Sequence, residues 1–104
     1  MVVQRWDFAL AVNGASASAT SSNGTNTPGK AIDGNDATFW ESQNVPTPAN
    51  PQNLIITFPY KLTLNKIRYL VSGSSNNRPR RFSLDASSNG INYTTIFNGL
   101  NKDN

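Results

Sequence analysis

An all-β fold is predicted by three features of this 104-residue chain. Apolar and polar residues alternate in short runs, as in Asn53-Leu-Ile-Ile-Thr-Phe58 and Arg81-Phe-Ser-Leu-Asp-Ala86, which is the period of a half-buried strand. Gly, Asn and Pro separate these runs at the positions where turns belong. Charged residues are only 14% of the chain while Asn, Ser and Thr make up about a third, so a polar surface comes without the charge excess of a disordered chain. The length suits one small domain.

The elements follow in order. Trp6, Phe8, Leu10 and Val12 alternate with polar or small residues, which predicts a lead-in strand or linker over residues 1–12, ahead of a domain spanning 13–104. Ala15 to Ser22 alternates Ala with Ser or Thr and suits a strand at a crowded position. Asn23 to Gly29 is a polar loop with strong breakers. Gln43 to Gln52 is a second loop, because Pro46, Pro48 and Pro51 have no N–H for a ladder. Asn53 to Phe58 is a strand that Pro59 ends. Leu62 to Val71 is the next strand, and its alternation slips near Asn65-Lys66, which predicts a bulge. Ser72 to Pro79 is a third loop, and Arg80 to Ala86 a strand. Ser87-Ser-Asn-Gly90 reads as a hairpin turn of type I′. Asn92 to Phe97 is the partner strand, and the polar tail Asn98 to Asn104 carries no strand signal. No segment reads as a helix; Gly29 to Ile32 is a turn at most.

Cys and His are both absent. That excludes disulfides, thiolate nucleophiles, histidine acid/base chemistry and Cys/His zinc sites. The net charge of +3 is dispersed except at Arg78, Arg80 and Arg81. No basic stripe with interleaved aromatics points to nucleic acid. The arginine cluster fits a solvated loop edge as well as a ligand contact. No stretch is long and apolar enough to span a membrane. Catalysis would have to rest on carboxylates or lysines. The clustered acids Glu41 and Asp33/Asp36 lie in one turn, whereas a glycosidase sets two carboxylates across a cleft. The chain is therefore read as a non-enzyme.

Pro28 to Ser42 concentrates the chemistry. Ala31 and Ile32 are placed to face a core, and Phe39 and Trp40 to anchor the far end. Between them Asp33, Asn35, Asp36 and Thr38 offer oxygens in one tight turn, with Gly34 free to take φ > 0. Such a set suits a plain surface turn first, and a hard cation such as Ca²⁺ second. It is not an EF-hand, because the closing acid is missing.

Taken in order, these motifs resemble the discoidin, or coagulation factor 5/8 type C, family, which includes the family 32 carbohydrate-binding modules. Ala15-Ser-Ala-Ser-Ala-Thr-Ser-Ser22 resembles its first small-residue strand, and Lys30-Ala-Ile-Asp-Gly-Asn-Asp-Ala-Thr-Phe-Trp40 its Ala-x-Asp-Gly-Asn-x-x-Thr-x-Trp turn. Pro51 to Phe58 and Leu64 to Leu70 resemble its paired central strands. Arg81 to Thr95 resembles the strand, turn and strand that follow. The resemblance covers residues 13–97 and implies a galactose-binding-like jelly-roll β-sandwich.

The same resemblance implies a structural Ca²⁺ held by backbone oxygens of Lys30 and Asn35, the Asp33 side chain, and the hydroxyl and backbone oxygens of Thr38, with Asp36 as the local alternative. It implies a sugar site on loops at one end of the sandwich. Glu41, Asn76 or Asn77, and Arg78 are the residues that would meet hydroxyl groups; Trp40, Tyr60 and Tyr69 are read as structural. The family continues with further strands beyond the position of Asn104, so the expectation is an incomplete sandwich, or one completed by a second chain or segment. The functional expectation is a non-catalytic carbohydrate-binding module that targets a larger secreted or surface bacterial protein to galactose-type or related glycans. The alternative is a protein-interaction or adhesion domain of the same type without a sugar site. Lipid binding needs apolar loop tips, and Asn23 to Gly29 and Ser72 to Asn77 are polar.

Overall fold

The computed structural model describes residues 7–64, 67 and 81–100, the side chain of Leu100 excepted. The chain divides into two compact units, Met1–Ile67 and Arg68–Asn104.

The described residues of the first unit begin in a turn; residues 7–12 of the predicted lead-in strand or linker are not in a strand, and residues 1–6 lie outside the described residues. The Asp7 carboxylate accepts the Ala9 N–H at 3.0 Å, and the Asn13 amide donates to the Asp7 carbonyl at 2.7 Å. These local side-chain bonds offer the backbone an alternative to extension. A short 3₁₀-helix, Ala11–Asn13, follows and ends at Gly14, whose φ of 99° favours glycine. Val12 is consequently 88% exposed, although alternation had placed it on an apolar face. Phe8 and Leu10 are half-buried, and Trp6 lies outside the described residues.

Strands β1 (Ser16–Ala19) and β2 (Leu54–Thr57) pair antiparallel. Ala17 faces Ile56 and Ala19 faces Leu54, and these four form the half-buried face. Small residues opposite large ones let the face pack closely. The ladder is extended by the Thr20 N–H donating to the Asn53 carbonyl, and the Asn53 N–H to the Thr20 hydroxyl, both at 3.0 Å. A second 3₁₀-helix, Pro28–Ala31, starts with Pro in its first turn and packs against β1. Ile32 and Ala15 are the buried hydrophobic residues among those described, at 4% and 7% exposure. Ala31 is exposed, so Ile32 alone meets the core expectation for this pair. Leu62–Leu64 is not in a strand; the rest of the predicted Leu62 to Val71 strand, apart from Ile67, lies outside the described residues.

The second unit holds an antiparallel hairpin, β3 (Arg81–Ala86) with β4 (Thr94–Leu100). Leu84 pairs with Phe97 but Asp85 with Thr95, so Ile96 is the extra residue of a bulge. The Phe82 and Phe97 rings lie 5.9 Å apart at 42°, a tilted arrangement that aromatic pairs favour.

Two sequence expectations change here. First, β4 runs to Leu100 through Asn98 and Gly99, residues of poor strand propensity that hid it. Gly99 faces Phe82, whose ring covers the place a side chain would take. Gly99→Ala is expected to overpack this contact and cost about 1–3 kcal/mol of hairpin stability, read as a lowered urea midpoint. An unchanged midpoint would show that the ring moves aside freely. Second, the turn is not type I′. That turn needs φ > 0 at both central residues, and Asn89 has a negative φ while Gly90 sits at 74°. The connection is the longer loop 87–93, built on side-chain hydrogen bonds of Ser87 and Asn89.

Candidate functional site

The turn after the second 3₁₀-helix winds itself from local bonds. Asp33 Oδ1 accepts the Asn35 N–H at 2.9 Å, and Asn35 Oδ1 accepts the Ala37 N–H at 2.9 Å. These are successive Asx turns. Gly34, at φ 78°, permits the first of them, and Leu10 lies over its open side. The Thr38 N–H then donates to the Asn35 carbonyl at 3.1 Å. The chain is thereby bent back, and Thr38 arrives beside Lys30.

Four oxygens meet at that point. Thr38 Oγ1 lies 2.6 Å from Asp33 Oδ2, 3.0 Å from the Asn35 carbonyl oxygen and 3.4 Å from the Lys30 carbonyl oxygen. A hydroxyl has one proton to donate. If it goes to Asp33, the hydroxyl lone pairs face two carbonyls. One carboxylate, two carbonyls and one hydroxyl are the donor types a hard cation takes, so the residues present fit such an ion. The donors are Lys30, Asp33, Asn35 and Thr38, the set that the family resemblance implies; of the oxygens read from the turn itself, Asp33, Asn35 and Thr38 are among them. Asp36 is exposed and takes no part in these bonds. Among the described residues no group of three or more acids, His or Cys could hold a metal, so the set carries little negative charge.

The Asp33 carboxyl is held below its ordinary value of 3.8. The Thr38 hydroxyl is the main cause, followed by the Asn35 N–H, with desolvation opposing and the Lys30 charge adding a little. A depressed carboxyl stabilises the fold above pH 3.8, and the contribution is lost as pH falls through the lowered folded value. At neutral pH the Asp33 carboxyl is therefore ionised.

Beyond the turn, Trp40 is half-buried and its Nε1–H donates to the Ser21 carbonyl at 3.0 Å, which agrees with a structural role. Glu41 is also tied. Its carboxylate accepts from the Asn23 amide, its carbonyl accepts the Asn23 N–H at 2.8 Å, and its N–H donates to the Asn26 carbonyl at 3.1 Å. The Ser21 hydroxyl links this region to the loop 43–52, donating to Gln52 Oε1 at 2.6 Å and accepting the Gln43 N–H at 3.0 Å. Sequence reasoning did not find Asn23, Ser21 or Gln52 as partners of this region. Their contacts join residues 18 to 31 positions apart, and no local pattern marks them. Asn76 and Arg78, and with them Asn77 and Tyr69, lie outside the described residues.

A family model described as the F5/8 type C domain matches residues 15–104. The chain belongs to the F5/8 type C, or discoidin, family. No curated protein and no solved structure matches it. Discoidin domains have the galactose-binding-like β-sandwich fold, and the strand-dominated structure of the described residues agrees with it. They are in general non-catalytic modules that bind glycans or other proteins, and they typically occur in secreted or surface proteins. No helix among the described residues of this discoidin chain is long and apolar enough to cross a membrane.

Proposed function

We propose that this discoidin domain is a non-catalytic glycan-binding module with a structural Ca²⁺ at Lys30, Asp33, Asn35 and Thr38, and that it targets a larger secreted or surface protein to glycans. The observation that carries the reading is the convergence of three acceptor oxygens on the Thr38 hydroxyl, in a family of binding modules. Bound Ca²⁺ would supply positive charge to oxygens whose lone pairs otherwise face one another. It holds the loop and takes no part in a reaction. Asp33 contributes the formal charge, the Asx turns place the Asn35 carbonyl, and the Lys30 carbonyl is offered from the 3₁₀-helix Pro28–Ala31.

The proposed glycan contacts are Glu41, Asn76 and Arg78. A sugar presents hydroxyls that both donate and accept. A guanidinium fork, an amide and a carboxylate match that pattern. The bond from Asn23 holds the Glu41 carboxylate in place and supports this role by lowering the ordering cost of binding.

The test is a glycan array with the purified chain, run in Ca²⁺ and in EDTA. Binding focused on galactose-type or related glycans is expected. Arg78→Ala is expected to lose about ten- to a hundredfold in affinity, the scale of a hydrogen bond to a charged group, with an unchanged melting temperature. Binding by Arg78→Ala equal to the parent would remove Arg78 from the site. A folded, Ca²⁺-responsive chain that binds no glycan would favour the protein-interaction reading instead.

A further inference from the structure

Four Asn-Gly pairs occur in the chain, at Asn13, Asn23, Asn89 and Asn98. Such pairs can convert to aspartate and isoaspartate, because an unhindered glycine nitrogen is able to attack the asparagine side-chain carbonyl. The fold treats the four differently. The Asn13 amide donates to the Asp7 carbonyl, which ties the leaving group, and the Gly14 N–H donates to the Ala11 carbonyl, an acceptor with no proton of its own to pass on. The Asn23 amide is held by Glu41 and its backbone is paired with Asn26. Asn98 and Gly99 are extended and paired with Ser83 and Phe82, and a five-membered ring closes only from a bent backbone.

Asn89 is arranged in the opposite way. Its Oδ1 receives the N–H groups of Ile91 and Asn92, both at 2.9 Å, and lies 3.0 Å from the Ser87 hydroxyl oxygen. The Ser87 hydroxyl oxygen in turn accepts the Gly90 N–H at 2.8 Å. Donors therefore surround the oxygen that gains negative charge when Cγ is attacked, as an oxyanion hole does. The serine sits between the attacking nitrogen and that oxygen, where it can pass a proton from one to the other. Gly90 takes φ 74°, and no atom lies within 4 Å of where its side chain would be, so the backbone after Asn89 is open on that side.

We propose that the loop 87–93 promotes its own modification, and that Asn89 is the site in this protein where succinimide forms preferentially. The Gly90 nitrogen bonds to Asn89 Cγ. Its proton passes to Ser87 Oγ, which delivers its own proton to Oδ1. The Oδ1 proton then passes to Nδ2 as the Cγ–Nδ2 bond breaks, so that the tetrahedral adduct collapses with loss of Nδ2 as ammonia and leaves a succinimide. Water then opens either carbonyl of the ring. The net change is asparagine plus water to aspartate or isoaspartate plus ammonia, with no oxidant or reductant. The product places a new negative charge, and in the isoaspartate an extra backbone carbon, at the tip of the β3–β4 hairpin beside the exposed Ile91 and Tyr93.

The experiment ages the folded chain at mildly alkaline pH and resolves aspartate and isoaspartate at all four pairs by peptide mapping, with the urea-unfolded chain as the baseline. Asn89 is expected to react faster folded than unfolded, and the other three slower. Ser87→Ala is expected to slow Asn89 on the order of tenfold, less than a buried general base achieves because the relay is open to water. Continued protection of Asn98 in that variant reports that the hairpin is intact. Asn89 reacting no faster folded than unfolded, or an unchanged or faster rate at Asn89 in a Ser87→Ala hairpin that still protects Asn98, would overturn the proposal. If Asn98 protection is lost as well, Ser87→Thr keeps the hydroxyl and decides: a rate restored toward the parent supports the relay, and a slow rate in an intact hairpin overturns it.

Discussion

Asp33→Ala is expected to abolish the response of this domain to Ca²⁺. In the parent chain, about 10 mM Ca²⁺ at a site with Kd on the order of 10⁻⁴ M, typical of extracellular modules, is about hundredfold saturating. Binding to the native state alone then adds about 2.7 kcal/mol, or roughly 10 °C or more in Tm for a domain of this size. EDTA should remove that increment. The variant keeps the carbonyls of Lys30 and Asn35 and the Thr38 hydroxyl but has no formal charge to draw the ion. It also loses the acceptor of the Asn35 N–H, so the first Asx turn opens. Its melting curve should be the same in Ca²⁺ and in EDTA. Equal Ca²⁺ responses in parent and variant would refute the site. Asp36→Ala separates the two acids of the turn. Asp36 lies outside the oxygen cluster, so the full response should remain in that variant.

Ile32→Ala is expected to give the largest loss of stability from a single side chain. Ile32 is the most buried hydrophobic residue among those described, at 4% exposure. Removing its outer carbons leaves a cavity, and such changes cost about 2–5 kcal/mol. That is a large share of the roughly 5–15 kcal/mol that holds a small domain together. The effect should extend beyond the core. The Ile32 carbonyl accepts the Ala11 N–H at 2.8 Å, and Ile32 lies between Lys30 and Asp33, so it anchors the chain inside the oxygen cluster. Urea unfolding should show a midpoint shift of this size, with Ile32→Val costing only about 0.5–1.5 kcal/mol. A loss in Ile32→Ala as small as that of Ile32→Val would mean that the residue is not a core anchor.

Much of the candidate cation site was legible in the sequence because its bonds are short in range. Asp33 to Asn35, Asn35 to Ala37 and Asn35 to Thr38 span two or three residues. Asp, Asn and Gly at those spacings code for the turn whatever surrounds it. The strands β1, β2 and β3 were legible for a related reason, since alternation with period two is also local. Of the lead-in read as a strand or linker, residues 7–12 are not a strand, because alternation in Phe8, Leu10 and Val12 is blind to the Asp7 and Asn13 side chains that bend the backbone. The end of β4 was missed because Asn98 and Gly99 argue against a strand on their own and are kept in one by Phe82 across the ladder.

The sequence alone therefore determined the all-β class, the order of motifs that places the chain in the discoidin family, and the oxygen donors of the turn. The class and the donors are properties of residues within a few positions of one another, and the family follows from the order of such local motifs along the chain. The tertiary structure decided that Thr38 meets the Lys30 carbonyl, that Asn23 holds Glu41, that the Trp40 ring is pinned to Ser21, and that β4 reaches Leu100. Most of these contacts close long stretches of chain, and their cost in chain entropy is met only when burial and strand pairing elsewhere in the domain have already brought the partners together.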